Sequence, residues 1–120
     1  MNRVSFVALL ALATIAFVCG QEEELYSDRY DYIDADDILK NERLRNQYYK
    51  CFYGSGPCVT ADAKFFKNNF GEAIVTKCKK CTQKQISNFD KMIVWYNENA
   101  PDQWEALVKK LVENAQENAN

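Results

Sequence analysis

The sequence predicts an all-α fold, a compact bundle of five to six amphipathic helices stapled by two short-loop disulfides. Apolar residues recur at helical spacing between Ile38 and Ala115, and no segment shows a convincing alternation of period two. Downstream of an apolar leader the cysteines fall as Cys51, Cys58, Cys78 and Cys81, two close pairs that each bracket a turn.

The leader sets the compartment. Arg3 precedes a nearly unbroken apolar stretch from Phe6 to Phe17, and Val18-Cys19-Gly20 ends on the small residue that signal peptidase requires. Residues 1–20 therefore read as a secretory signal peptide. The stretch is short of the roughly 18 to 20 residues a membrane span needs, and the acidic Gln21-Glu22-Glu23-Glu24 follows it, so stable membrane insertion is not expected. Residues 21–120 then form the mature, secreted, extracellular chain, with 14 basic against 17 acidic residues and a formal charge of −3. Four cysteines remain, an even number that reads as two disulfides in an oxidising compartment. No part of the chain looks built for nucleic acid. About 100 residues leave room for one domain around one core.

Gln21 to Tyr32 is acidic, rich in tyrosine and without helical period, and reads as an extended arm on the surface. Asp34 followed by Asp37 has the form of a helix start, with acids where the macrodipole favours them. The short first helix turns Ile38 and Leu39 inward. Asn41 is placed to cap a second helix whose apolar set is Leu44, Tyr48, Cys51 and Phe52, and Gly54-Ser55-Gly56-Pro57 breaks it. Thr60 is placed to cap a third, with Phe66, Phe70, Ala73 and Ile74 on one face, Phe65 widening it and Gly71 a point where it can bend. After Cys81, Ile86, Phe89, Ile93 and Tyr96 mark the longest helix, broadened by Met92, Val94 and Trp95. Asn97 to Pro101 ends that helix. Trp104, Leu107, Val108, Leu111, Val112 and Ala115 make a final amphipathic one, and residues 113–120 read as a polar tail. Aromatic side chains dominate the inward stripes. Composition alone does not choose between a dense core and a cavity.

Cys51 and Cys58 would close a loop of eight residues, and Cys78 and Cys81 one of four. On the loop-entropy model each bridge contributes roughly 2 to 2.5 kcal/mol, so its likelier work is to pin a helix corner. Four cysteines permit three pairings; the sequential one is favoured because each pair already frames a turn. Two other readings stay open at this level. Cys78-Lys79-Lys80-Cys81 has redox-motif spacing but no visible strand before it, and a four-cysteine zinc site would want close pairs at both ends. Lys77, Lys79, Lys80 and Lys84 form the one basic cluster, suited either to a carboxylate or to the C-terminal dipole of the third helix. There is no histidine, no G-x-S-x-G motif and no N-x-[ST] sequon, so neither catalysis nor N-glycosylation has a candidate, and no cofactor or metal is expected.

Tyr26-Ser27-Asp28-Arg29-Tyr30-Asp31-Tyr32-Ile33-Asp34, Ile38-Leu39-Lys40, Arg43-Leu44, Cys51 with Pro57-Cys58 and Thr60, the run Lys77 to Gln85, and Pro101-Asp102-Gln103-Trp104 together resemble the insect chemosensory proteins, also called the OS-D or pherokine family. The resemblance covers almost all of the mature chain, from Tyr26 to about Leu107. It implies about six helices, sequential disulfides and an apolar channel for linear ligands such as fatty acids, esters, alcohols and pheromone-like or odorant molecules. It also implies that Tyr48, three residues before Cys51, lies near the channel mouth, where its phenol could meet a ligand head group. The expected lining is Ile38 and Leu39; Leu44, Tyr48 and Phe52; Phe66, Phe70 and Ile74; Ile86, Phe89, Ile93 and Tyr96; and Trp104 and Leu107.

Two departures bear on the channel. Family members often end on a Lys-Tyr-Asp-Pro turn and a short aromatic helix, whereas here Lys109-Lys110-Leu111-Val112 runs straight into Glu113. The last helix is thus missing or merged with the one before it. Phe52-Tyr53 and Trp95-Tyr96 are bulkier than the aliphatics usual there, which narrows the cavity or favours aromatic ligands. The leading reading is a monomeric secreted carrier of a small hydrophobic ligand, with no enzyme activity. The alternative is a secreted interaction or signalling protein in development, immunity or virus response, acting on a receptor; an exposed Trp95 or Trp104 would favour it. A thiol oxidoreductase using Cys78 and Cys81 is the third.

Overall fold

Polar side chains start the helices where the sequence places them. The computed structural model describes residues 24–119; the leader at 1–20, the beginning of the acidic arm and Asn120 lie outside the described residues. Helix α1 is Ala35–Leu39, and Asp34 caps it by accepting from the Asp36 amide. Helix α2 is Glu42–Tyr53, capped by Asn41 on the Leu44 amide, and Gly54 closes it at φ 98°, a left-handed turn that glycine adopts freely. Helix α3 is Ala61–Thr76, capped by Thr60 on the Ala63 amide. Helix α4 is Gln83–Asn99; Thr82 and Gln85 exchange hydrogen bonds across its first turn in a reciprocal capping box.

Helix α5 is Pro101–Ala119. Pro101 is its first residue rather than part of the break, since proline's fixed φ and missing N–H suit that position. The helix continues past Val112 to Ala119, so the stretch read as a polar tail prolongs α5 instead of leaving it. Among the described residues there are five helices and no strand. None of these helices is long and apolar enough to cross a membrane.

Helix α5 packs against α2, α3 and α4, while α1 bridges α2 and α4. The crossing of α3 and α5 is unusually close at Gly71. A Cβ there would stand 2.5 Å from the Leu111 carbonyl oxygen and 2.8 Å from the Ala115 Cβ. Gly71 therefore serves the helix contact, not a bend, and α3 runs through it unbroken.

Two buried clusters result. Cys51, Phe52, Ala63, Leu107 and Leu111 form one, with Phe66, Phe70 and Ile74 packed on it; Ala35, Leu39 and Tyr96 form the other, with Met92 and Trp95 beside them. Disulfides join Cys51 to Cys58 and Cys78 to Cys81, each spanning a turn between consecutive helices. Neither crosses the interior, and with these four sulfurs bonded no thiolate is left for zinc among the described residues.

Polar contacts add to the buried Ala35 and Leu39 in holding the arm and α1. Asn88 on α4 accepts from the Ala35 amide and donates to the Ile33 carbonyl, both at 2.9 Å. Lys91 reaches Asp34 at 2.9 Å and Asp36 at 3.1 Å, and that ammonium holds the Asp34 carboxyl below its usual range. Further upstream, the Tyr26 amide donates to the Lys80 carbonyl, and the Tyr30 ring lies 5.1 Å from that of Phe65.

Candidate functional site

The inward aromatic stripes do not close into a solid core. They leave two cavities. The smaller, about 80 Å³, lies under α1 and is lined by residues of every helix, among them Ile38, Leu39, Tyr48, Phe52, Phe66, Phe70, Tyr96 and Leu107. The larger, about 450 Å³, lies between α3, α4 and α5 and is lined by Ala73, Ile74, Ile86, Ile93, Trp104 and Val108, with Lys77, Cys78 and Asp90 completing it. Phe89 lines both.

Rings run continuously through these walls. Tyr48 meets Phe52 at 5.8 Å, Phe52 meets Phe70 at 5.0 Å, Phe70 meets Phe89 at 5.6 Å, Phe89 meets Trp104 at 6.3 Å and Trp104 meets Tyr96 at 5.9 Å. Most of these pairs are edge-on, an arrangement that favours quadrupole contact over dense face stacking. Large rings packed edge to edge leave gaps that branched aliphatic chains would fill. That is why a domain so rich in aromatic side chains has room inside it.

Polar groups reach the smaller cavity only with their hydrogen-bonding capacity largely used. Arg45 donates to the Leu39 carbonyl at 2.7 Å and lies over the Trp95 ring at 4.2 Å. Tyr49 donates to the Gln103 carbonyl, Asn88 holds α1, and Gln85 caps α4. The Tyr48 hydroxyl donates to Asp62. Burial, then the Asp62 carboxylate, pushes its pKa well above the ordinary phenol value. What Tyr48 can offer a head group is therefore an acceptor oxygen, and a carboxylate head would meet Asp62. Tyr96 differs. Its hydroxyl has no hydrogen-bond partner among the described residues, the residue is 4% exposed, and burial pushes its pKa up to about 12.

All but one of the residues expected to line a channel face one of these two spaces. Leu44 lines neither. It sits in the first turn of α2, where its amide is tied to Asn41, and the residue of that turn that lines the smaller cavity is its neighbour Arg45. The expected lining leaves out Arg45, Tyr49, Gln85, Asn88 and Met92, although Met92 is read as broadening the α4 stripe. Met92 and Tyr49 adjoin stripe members and were within reach of the pattern; Asn88 and Arg45 carried no apolar signal. The basic cluster separates: Lys80 pairs with Glu72 at 3.6 Å, Lys84 lies 3.9 Å from Asp34, and Lys77 alone lines a cavity. Trp95 and Trp104 are both half-buried, so the exposed tryptophan that would favour an interaction surface is not found. Cys81 is buried at the foot of α4, where no strand precedes it among the described residues, as redox spacing would require.

The sequence matches the insect pheromone-binding family A10/OS-D over residues 26–119. It is 39% identical over 102 residues to ejaculatory bulb-specific protein 3 of Drosophila melanogaster, covering 85% of this chain and 80% of that one. It is 45% identical over 87 residues to the putative odorant-binding protein A10 of the same fly, covering 72% of this chain and 56% of that one. Among solved structures it resembles a chemosensory protein in complex with bromo-dodecanol, with a TM-score of 0.68 and 34% identity, over 74% of this chain and 88% of the other.

Proposed function

The chain belongs to the insect pheromone-binding family A10/OS-D, and on that premise we propose that it is a secreted carrier for small linear apolar molecules, which it takes into the larger of the two cavities that Phe89 lines. The observation that carries the reading is the larger cavity. Its 450 Å³ falls in the size range of small-molecule sites, and its wall is mostly aliphatic and aromatic. The similar chemosensory protein was solved with bromo-dodecanol, a long apolar chain with one hydroxyl. The ligand class is thus a fatty alcohol, ester or acid, or a pheromone or odorant of the same build. Binding, not catalysis, is the activity.

Energetics set the expected strength. Burying a methylene contributes about 0.8 kcal/mol, so a chain of about twelve carbons gives roughly 10 kcal/mol gross. Association costs several kcal/mol, which leaves dissociation constants in the micromolar range. Selectivity among tails is broad because methylenes carry little identity. Polar heads find contacts in the wall of the larger cavity, where Lys77 and Asp90 stand among the apolar side chains.

The test is displacement of a fluorescent fatty-acid probe from the protein. Micromolar probe binding, reversed by long-chain alcohols, is expected. No probe binding at micromolar protein, or binding that alcohols fail to reverse, would remove the carrier reading.

A further inference from the structure

We propose that Phe89 sets the length of chain this protein accepts. The inference rests on the carrier reading above and goes beyond it by assigning length selectivity to one side chain. Phe89 is the one residue that lines both cavities, and its two edge-on neighbours belong one to each wall. Phe70, at 5.6 Å, belongs to the wall of the smaller space; Trp104, at 6.3 Å, belongs to the wall of the larger. The ring therefore stands between the two spaces, with one aromatic neighbour in the wall of each. A linear tail that fills the 450 Å³ cavity ends against this ring. Beyond it lie a further 80 Å³, walled mainly by apolar side chains and inaccessible to the tail while the ring stands. At about 30 Å³ per water-sized group, that space holds two or three methylenes.

The position of the partition follows from the local sequence. Phe89 lies three residues after Ile86 and four before Ile93, both on the wall of the larger cavity, and three before Met92, on the wall of the smaller. It thus sits where the apolar face of α4 changes from one space to the other, and its ring projects across the boundary. A smaller side chain there would join the two spaces without removing a hydrogen bond, an ion pair or a cap. What is lost is ring packing against Phe70 and Trp104, part of which leucine keeps.

The experiment compares the protein with Phe89→Ala and Phe89→Leu, using a homologous series of linear alcohols from medium to long chain as competitors of the fluorescent probe. In the unmodified protein affinity should rise about fourfold per methylene, then level off when the larger cavity is full. In Phe89→Ala the rise should continue for two or three further methylenes, so that the ratio of long-chain to short-chain affinity is at least tenfold greater than in the unmodified protein. Phe89→Leu should extend the rise by at least one methylene, which gives a second reading if the alanine variant is poorly folded by circular dichroism. Length profiles that run parallel in all three proteins would overturn the role of Phe89 and leave the carrier reading intact. Failure of every alcohol to bind any of the three would overturn both.

Discussion

Lys77 holds the left-handed conformation at φ 57°, directly followed by Cys78 at φ 61°. A β-carbon makes that region costly, and most helices that end this way use glycine. The turn is nevertheless closed, because the Cys78 amide donates to the Ala73 carbonyl at 2.8 Å. Lys77→Gly should therefore raise stability by about 0.5–1 kcal/mol in urea unfolding, the relief of strain exceeding glycine's larger unfolded-state entropy. A loss of stability would mean that the lysine side chain contributes more than its backbone costs. Titration gives a second check. The phenols of Tyr48 and Tyr96 are both raised from 10.0 in the folded state, chiefly by burial, so unfolding releases groups that ionise more easily. Both contributions are complete below pH 10; that of Tyr96 is lost as pH climbs toward about 12, and that of Tyr48, raised further, is lost only at higher pH. Thermal unfolding temperatures should fall over that window, in step with late phenolate absorbance. A flat profile would contradict their burial. At this scale the sequence was a partial guide. Tyr48 could be singled out by its place on a stripe near Cys51, but nothing local announces that Asp62, fourteen residues on, takes its proton donor.

Between elements, the contact of α3 with α5 decides how the bundle closes. Gly71→Ala gains about 1 kcal/mol of helix propensity, yet puts a methyl 2.5 Å from a backbone carbonyl that can retreat only by moving α5. Overpacking of that kind costs about 1–3 kcal/mol, so sterics win and the variant should be less stable by about 1–2 kcal/mol. Equal or greater stability in chemical denaturation would show that α5 can shift without penalty. Helix starts were the most legible feature, because Asp34, Asn41 and Thr60 are local signals that act within one turn. Gly71 was misjudged for the opposite reason. A glycine inside a helix looks like a weakness until its partner helix is placed beside it. The dock of α1 on α4 was equally hidden, since Asn88 and Lys91 work through contacts more than fifty residues apart in sequence.

Across the whole molecule, the all-α class and both disulfides could be read from periodicity and cysteine spacing, while the interior space could not. Stripes report which residues turn inward, not whether the rings they carry meet without gaps. Thirteen of the fourteen expected lining residues face a cavity, but the division of that space at Phe89 belongs to three-dimensional packing alone. The central claim is that a long apolar tail is buried in this interior. Calorimetric titration of the protein with a long-chain alcohol at several temperatures tests it most directly, because burial of apolar surface gives a negative heat-capacity change whatever the sign of the enthalpy. One ligand per chain with micromolar affinity and a clearly negative heat-capacity change is the predicted result; saturable binding without a heat-capacity change, or no binding at all, would contradict it.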